Sequence, residues 1–271
     1  MISTTDPSST SMGLAIRDLT YCYAPHLPPV LDQLTLEVPT GTFLSVVGQS
    51  GGGKSTLLRV AAGLLTPTAG EVLVKDRPLV GPSLLTSVVF QADNLLPWRT
   101  ARGNVALGIE TSFSKKEVRS RCKDALRAVG LETSQSLYPH QLSGGMRQRV
   151  NLARALARNP EVLLMDEPFS ALDAQTRDAQ QRRLLDIWQR EQRTVFFVTH
   201  DIDEAVLLSD TVVLLGNGTI EAKLTVNIPR PRDRHVRGSP EFIKLTEELR
   251  DRLHRPAEAT HGGLPPKSAR R

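Results

Sequence analysis

Nine consecutive residues have the types and order needed to hold a polyphosphate: Gly48, Gln49, Ser50, Gly51, Gly52, Gly53, Lys54, Ser55 and Thr56. They fit the pattern G-x-x-x-x-G-K-[ST]. Glycines let backbone N–H groups converge on phosphate oxygens, and a helix starting there adds partial positive charge. Lys54 is expected to reach the β- and γ-phosphates, and Ser55 to ligate Mg2+. A glycine-rich turn with a surface lysine would carry the same letters. It would not need the apolar strand-like run Phe43 to Val47 before it and the helix-favouring run Lys54 to Ala62 after it.

Two further groups fit the same chemistry. Val162 to Met165 is an apolar run ending in Asp166 and Glu167. A buried strand with this ending delivers both acids to the carboxyl edge of a parallel sheet, beside a phosphate loop. Asp166 is expected to hold Mg2+ through water, and Glu167 to polarise an attacking water as general base. Leu142, Ser143, Gly144 and Gly145 open a second helix running to Arg158. A Ser-Gly-Gly helix start is another anion cradle, although the same letters could serve as a plain N-cap. One nucleotide has one γ-phosphate, so two cradles imply either two sites or cradles that meet across a dimer.

The elements that must position these groups alternate between strand and helix, which argues an α/β fold. Strands are expected at Leu14 to Thr20, Leu34 to Val38, Phe43 to Val47, Glu71 to Val74, Ser87 to Phe90, Glu161 to Asp166 and Thr194 to Thr199. Helices are expected at Lys54 to Ala62, through the polar stretch Ala101 to Gly130, and at Ala174 to Glu191. Residues 1–12 read as a flexible leader without the basic and apolar regions of a secretory signal. From 226 onward the chain turns Pro/Arg-rich, with one short helix expected from Pro240 to Leu253.

Of 271 residues, 39% are hydrophobic and 23% charged, within the globular range. The net charge is +5, which makes nucleotides, nucleic acid or an acidic membrane surface plausible partners. Much of the excess lies at Arg230, Arg232, Arg234, Arg237, Lys267, Arg270 and Arg271, which read as a solvated basic tail. Two cysteines, Cys22 and Cys122, argue against a disulfide framework or cysteine-built zinc site and for a reducing compartment. No apolar run approaches the ~20 residues that cross a bilayer, so a role in membrane transport would work through another subunit.

With these motifs in order, residues 14 to 225 resemble the nucleotide-binding subunits of ABC transporters. The resemblance adds Gln91 as the Q-loop glutamine, Ser170 to Asp173 as the D-loop, and His200 as the switch histidine. It also points to Tyr23 as the aromatic that stacks on adenine, with Tyr21 close enough to compete. It implies a P-loop NTPase cassette with a RecA-like core, an antiparallel β subdomain and a helical signature subdomain at about 92–158, all within 13–225, followed by an extension at 226–271. It implies ATP and Mg2+, the metal held by Ser55, Asp166 and Gln91. It further implies a head-to-tail homodimer in which Ser143, Gly144 and Gly145 of one chain face the phosphate loop of the other. His200 would contact the γ-phosphate. Met146 departs from the Gln or Glu of many relatives, beyond the residues expected to touch phosphate.

Finer segments are similar to the importer branch for aliphatic sulfonates, taurine and nitrate. They include Leu95 to Arg99, Asn104 to Gly108, Ala171 to Arg177 and Ile228 to Arg232. Ser50 to Arg59 and Ala62 to Gly70 are most similar to the sulfonate members, whereas Gly81 and Pro82 are closer to the taurine type. The resemblance implies two permease subunits, a periplasmic solute-binding protein and a peripheral place on the cytoplasmic face of a bacterial inner membrane. The apolar segment Leu95 to Trp98 either packs on the helical subdomain or forms a groove for a permease helix. A soluble ABC ATPase acting on nucleic acid is the competing reading. It usually needs a second cassette, a coiled coil or a zinc insertion, and Gln91 to Ser143 leaves room only for a small helical subdomain. A small-metabolite kinase would leave Ser143, Gly145 and His200 without a use, and an exporter is disfavoured only by the lack of fused membrane spans.

Overall fold

In the computed structural model, which describes residues 11–254, two sheets carry the chain. Most of the expected leader and the tail beyond 254, with Lys267, Arg270 and Arg271, lie outside the described residues. In the antiparallel sheet, β1 (Met12–Tyr21) runs between β2 (Leu31–Pro39) and β4 (Ala69–Val74), with the short β5 (Arg77–Pro78) at the edge. The larger sheet has the order β10 (Thr219–Thr225), β9 (Thr211–Gly216), β3 (Phe43–Val47), β8 (Thr194–Val198), β7 (Val162–Asp166), β6 (Thr86–Val89). Its strands are parallel except β10, which pairs antiparallel with β9.

Every residue of β3, β7 and β8 is buried. Strands covered on both faces read as unbroken apolar runs rather than alternating ones. Successive side chains still divide between two cores. Leu44, Val46, Leu164 and Phe196 join α1 (Lys54–Ala61) and the antiparallel sheet. Phe43, Leu163, Met165 and Phe197 face α4 (Gly144–Ala157) and α5 (Ala174–Glu191). Burial from both sides fixes the strand ends, and with them the groups just beyond.

The stretch Ala101 to Gly130 is not one helix. It breaks into α2 (Ala101–Leu107) and α3 (Lys115–Ala128). Ser114 starts α3 with a capping box: its side chain accepts from the Glu117 N–H while Glu117 accepts from the Ser114 N–H. That reciprocal pair makes position 114 a helix start rather than a helix interior, whatever the propensity of its neighbours. Both helices pack on α4. Beyond His200 the structure adds α6 (Ile202–Leu208), β9 and β10, where the sequence reading assigns nothing. Their short apolar runs, Ala205 to Leu208 and Val212 to Leu215, fit helix or strand equally well.

As far as His254, the basic segment after 226 is not a solvated tail. Val226, Ile228, Phe242 and Leu249 are buried with α6 and β9, and α7 (Pro240–His254) closes that core. Arg232 is only 5% exposed. Its guanidinium donates to the carbonyls of Ile228, Val206, Ser209 and Val226. Burial pulls it down to about 10. Arg230 donates to the Leu208 carbonyl and to Asp210 at 2.8 Å. Two arginines thus cap the open carbonyl end of α6, where a helix presents partial negative charge.

Candidate functional site

Four strands of the parallel sheet end at one edge, and each releases a different group there. β3 leads into the phosphate loop, β8 into Thr199 and His200, β7 into Asp166 and Glu167, and β6 towards Gln91. Registers Val46 to Val198, Asp166 to Val198 and Val89 to Met165 bring these ends level. The carboxyl edge of an open parallel sheet is where such folds bind ligands.

The loop leaves no room for side chains at two of its glycines. A Cβ on Gly48 would come 2.2 Å from the Leu215 carbonyl oxygen, and Gly53 has φ of 92° with the Val30 oxygen 2.9 Å from a Cβ. Only glycine holds this path at these two positions. Lys54 Nζ donates to the carbonyls of Gly48 (2.9 Å) and Gln49 (2.8 Å). Burial draws its pKa down, against the opposing pull of Glu167 and Asp166. Burial likewise raises Asp166, while its bond to Ser55 opposes the rise.

Ser55 Oγ donates to Asp166 Oδ1 at 3.0 Å, across 111 positions of sequence. A hydroxyl and a single carboxylate converging beside a phosphate cradle are the hard oxygen set that Mg2+ takes when phosphates supply the rest. The described residues contain no group of three or more His, Cys, Asp or Glu that could hold a metal by itself. The residues present therefore fit a magnesium–nucleotide complex and not a free-standing metal centre.

Glu167 has φ of 45°, a left-handed conformation that costs a non-glycine residue of order 1 kcal/mol or more. Its carboxylate Oε2 lies 3.0 Å from His200 Nδ1, whose N–H donates to it. Gln91 Nε2 donates to Ser170 Oγ (3.0 Å), and that hydroxyl donates to the Glu167 carbonyl (3.0 Å). Thus Gln91, Glu167, Ser170 and His200 form one connected group. Thr56 Oγ1 lies 2.9 Å from the Tyr23 hydroxyl. Tyr23 is 54% exposed, whereas Tyr21 is 8% exposed and meets it edge-on. Of the two tyrosines, Tyr23 alone offers an open face.

Ser143 caps α4, accepting from the Met146 N–H at 3.3 Å, and Ser143 and Gly144 are exposed. Among the described residues, no side-chain hydrogen bond joins Ser143 to Gly145 with the phosphate loop. The second cradle faces outward, and Met146 packs against the helical core. Gln49 donates through Nε2 to the Leu253 carbonyl (3.0 Å), which brings the end of α7 beside the loop. A cavity of about 670 Å3 opens there, bounded by Gln49 to Gly52, the β9–β10 turn and His254.

Several residues at the site escape the sequence reading. Arg147 Nε donates to Asp93 Oδ2 (2.9 Å), and Arg154 donates to the carbonyls of Asp93 and Asn94, which fastens the loop after Gln91 to α4. Asn104 accepts from the Leu96 N–H and donates to the carbonyls of Leu96, Arg99 and Thr100. It holds Leu95 to Trp98 in a tight loop, with Leu95 against the helical core and Trp98 70% exposed. An asparagine inside a helical segment was the available signal.

A sheet edge carrying a phosphate loop, a magnesium-type oxygen pair and a strained glutamate paired with histidine defines a P-loop nucleotide-binding cassette. The ABC transporter family model matches residues 31–170. An uncharacterised ABC transporter ATP-binding protein of Methanocaldococcus jannaschii is 50% identical over 222 residues, 81% of this chain and 82% of that one. The aliphatic sulfonates import ATP-binding protein SsuB of Escherichia coli (strain K12) is 47% identical over 230 residues, 85% of this chain and 87% of its own. A dimeric post-hydrolysis structure of the ATP-binding cassette MJ0796, bound to ADP and Pi, superposes with a TM-score of 0.69 at 32% identity. It covers 80% of this chain and 100% of that one. The chain belongs to the ABC transporter family, as an ATP-binding protein of that family.

Proposed function

We propose that this protein hydrolyses ATP to drive an importer of aliphatic sulfonates, acting as a homodimer with two permease subunits and a periplasmic binding protein. The observation that carries the hydrolytic reading is the pair of hydrogen-bonded partners at the sheet edge, Ser55 with Asp166 and Glu167 with His200. The cargo rests on similarity to sulfonate importers at about half identity. The cassette spans 13–225 with its helical subdomain at about 92–158. The described residues contain no helix long and apolar enough to cross a membrane, and the protein acts from the cytoplasmic face of the inner membrane.

In this reading the loop N–H groups of Gly48 to Gly53 and the Lys54 ammonium hold the β- and γ-phosphates. Magnesium, held by Ser55, Asp166 and Gln91, supplies charge neutralisation on those phosphates when bound. Glu167 takes the proton of the attacking water, and its left-handed backbone fixes the carboxylate against the sheet edge. His200 orients that carboxylate and contacts the γ-phosphate. Tyr23 stacks on adenine. Ser143, Gly144 and Gly145 close the partner's site, which accounts for their outward aspect in the single chain.

Three experiments test this. Glu167→Gln is expected to bind ATP without turnover and to run as a dimer in size-exclusion chromatography with saturating ATP. A monomer under those conditions would overturn the shared-site scheme. A deletion strain is expected to lose growth on an alkanesulfonate as sole sulfur source. Loss on taurine or nitrate instead would reassign the cargo within the branch, and salt-dependent DNA binding by the purified chain would favour the nucleic-acid reading.

A further inference from the structure

A chain of side-chain hydrogen bonds runs between α5, α6 and the segment before α7, and no step above uses it. Arg237 Nη2 donates to Gln181 Oε1 (3.2 Å) and pairs with Asp178 at 3.1 Å. Gln181 Nε2 donates to Glu204 Oε1 (2.8 Å). The other oxygen, Glu204 Oε2, accepts from Thr199 Oγ1 (2.6 Å), which itself accepts from the Asp201 N–H (3.1 Å). The Glu204 N–H in turn donates to Asp201 Oδ1 (3.1 Å). Thr199 and Asp201 flank His200: the first bonds the buried carboxylate directly, and the second meets the Thr199 hydroxyl and the Glu204 backbone N–H.

This chain has a direction. A guanidinium can only donate, so Arg237 holds the Gln181 carbonyl toward itself and turns the amide NH2 toward Glu204. Glu204 then accepts at both oxygens, and the Thr199 hydroxyl must donate to it, leaving its lone pairs for Asp201. Gln181, Glu204 and Thr199 are all buried, and a buried carboxyl is unfavourable unless its hydrogen bonds are complete. An apolar side chain would fill the space without that penalty, so what the acid adds is orientation of the turn. Arg237 belongs to the extension and lies at the surface end, with a side chain about one-third exposed.

We propose that Glu204 is a positioning residue for His200, and that Arg237 sets it through Gln181, so that the segment after β10 tunes turnover without touching nucleotide. The proposal rests on the reading that His200 acts at the γ-phosphate. The test compares ATP turnover, fluorescent ATP-analogue affinity and melting temperature in the full chain and its variants. Arg237→Met is expected to lower kcat about threefold to tenfold, the scale of one hydrogen bond lost at the transition state, with affinity unchanged. Arg237→Lys, which restores a donor, is expected to recover most of the loss. Adding Arg237→Met to Thr199→Val is expected to lower kcat no further than Thr199→Val alone, because the chain is already cut.

Wild-type kcat in Arg237→Met, losses that multiply in the double variant, or a parallel fall in affinity and melting temperature would each overturn the relay. His200→Ala separates the two levels of the argument. It is expected to lose most turnover. Undiminished turnover in His200→Ala would overturn the site reading itself, whatever Arg237 does.

Discussion

Gly48 and Lys54 show how little freedom the phosphate loop has. A methyl group at 48 meets a backbone oxygen, not a side chain that could swing aside. Gly48→Ala is therefore expected to destabilise the fold by about 1–3 kcal/mol, the range of overpacking, and to weaken nucleotide binding; urea unfolding and an ATP-analogue titration check both. The motif was legible from nine neighbouring residues, but the backbone oxygens of Leu215 and Val30 that close it against a methyl come from other parts of the chain. Tyr23 against Tyr21 was not legible. The two differ in where β1 ends, and alternation alone cannot say which aromatic is the last one covered. Arg232 was misread for a related reason. Its composition says solvent, while the four carbonyls that hold it come from α6 and from residues 226 to 228. Such partners leave no mark in the local sequence. The same holds for Glu204, whose two side-chain donors come from Thr199 and from Gln181 on another helix.

At the scale of elements, the helical unit carries two expectations. Burial among α2, α3 and α4 pushes the Cys122 thiol up from 9.0 to about 11. Unfolded chain loses this proton first, so between those values the folded state binds more protons and stability falls as pH rises. Cys122→Ala is expected to flatten that part of the urea-midpoint profile, and an alkylating reagent at pH 8 is expected to modify Cys22 and spare Cys122. Trp98 stands exposed on a loop that Asn104 makes rigid. Trp98→Ala is expected to leave ATP hydrolysis by the isolated chain within about twofold of wild type, since a side chain 70% exposed holds little in place. Transport by the assembled complex is expected to fail. Equal loss of both activities would move Trp98 into the catalytic edge. The helix-favouring character of 101–130 did not locate the break, because propensity sums over a window, whereas the Ser114 and Glu117 pair acts at one point.

Across the whole molecule, the proposed dimer would make each chain half of two reaction centres. Lys54→Ala and Ser143→Arg are each expected to abolish turnover alone. Mixed together, they form some dimers with both lesions in one centre and none in the other. Activity is expected to return on mixing, toward half the wild-type rate per mixed dimer. Continued silence would mean that the two residues serve one chain. The α/β class and the buried strands β3, β7 and β8 were readable from alternation of strand and helix, whereas the sheet order, which includes β9 and β10, was not. The outward aspect of Ser143 was expected only through the family resemblance, since its letters alone show a phosphate-type helix start but not toward which chain it points.

The hydrogen bond from Gln49 to the Leu253 carbonyl moors the last turn of α7 at the rim of the glycine loop. That proximity turns an accident of packing into an optical handle. A dye attached through His254→Cys, in a chain whose Cys22 has been changed to serine, would lie beside the 670 Å3 opening. Its emission would shift whenever the loop fills or empties, giving a real-time gauge of occupancy that leaves every reacting group untouched.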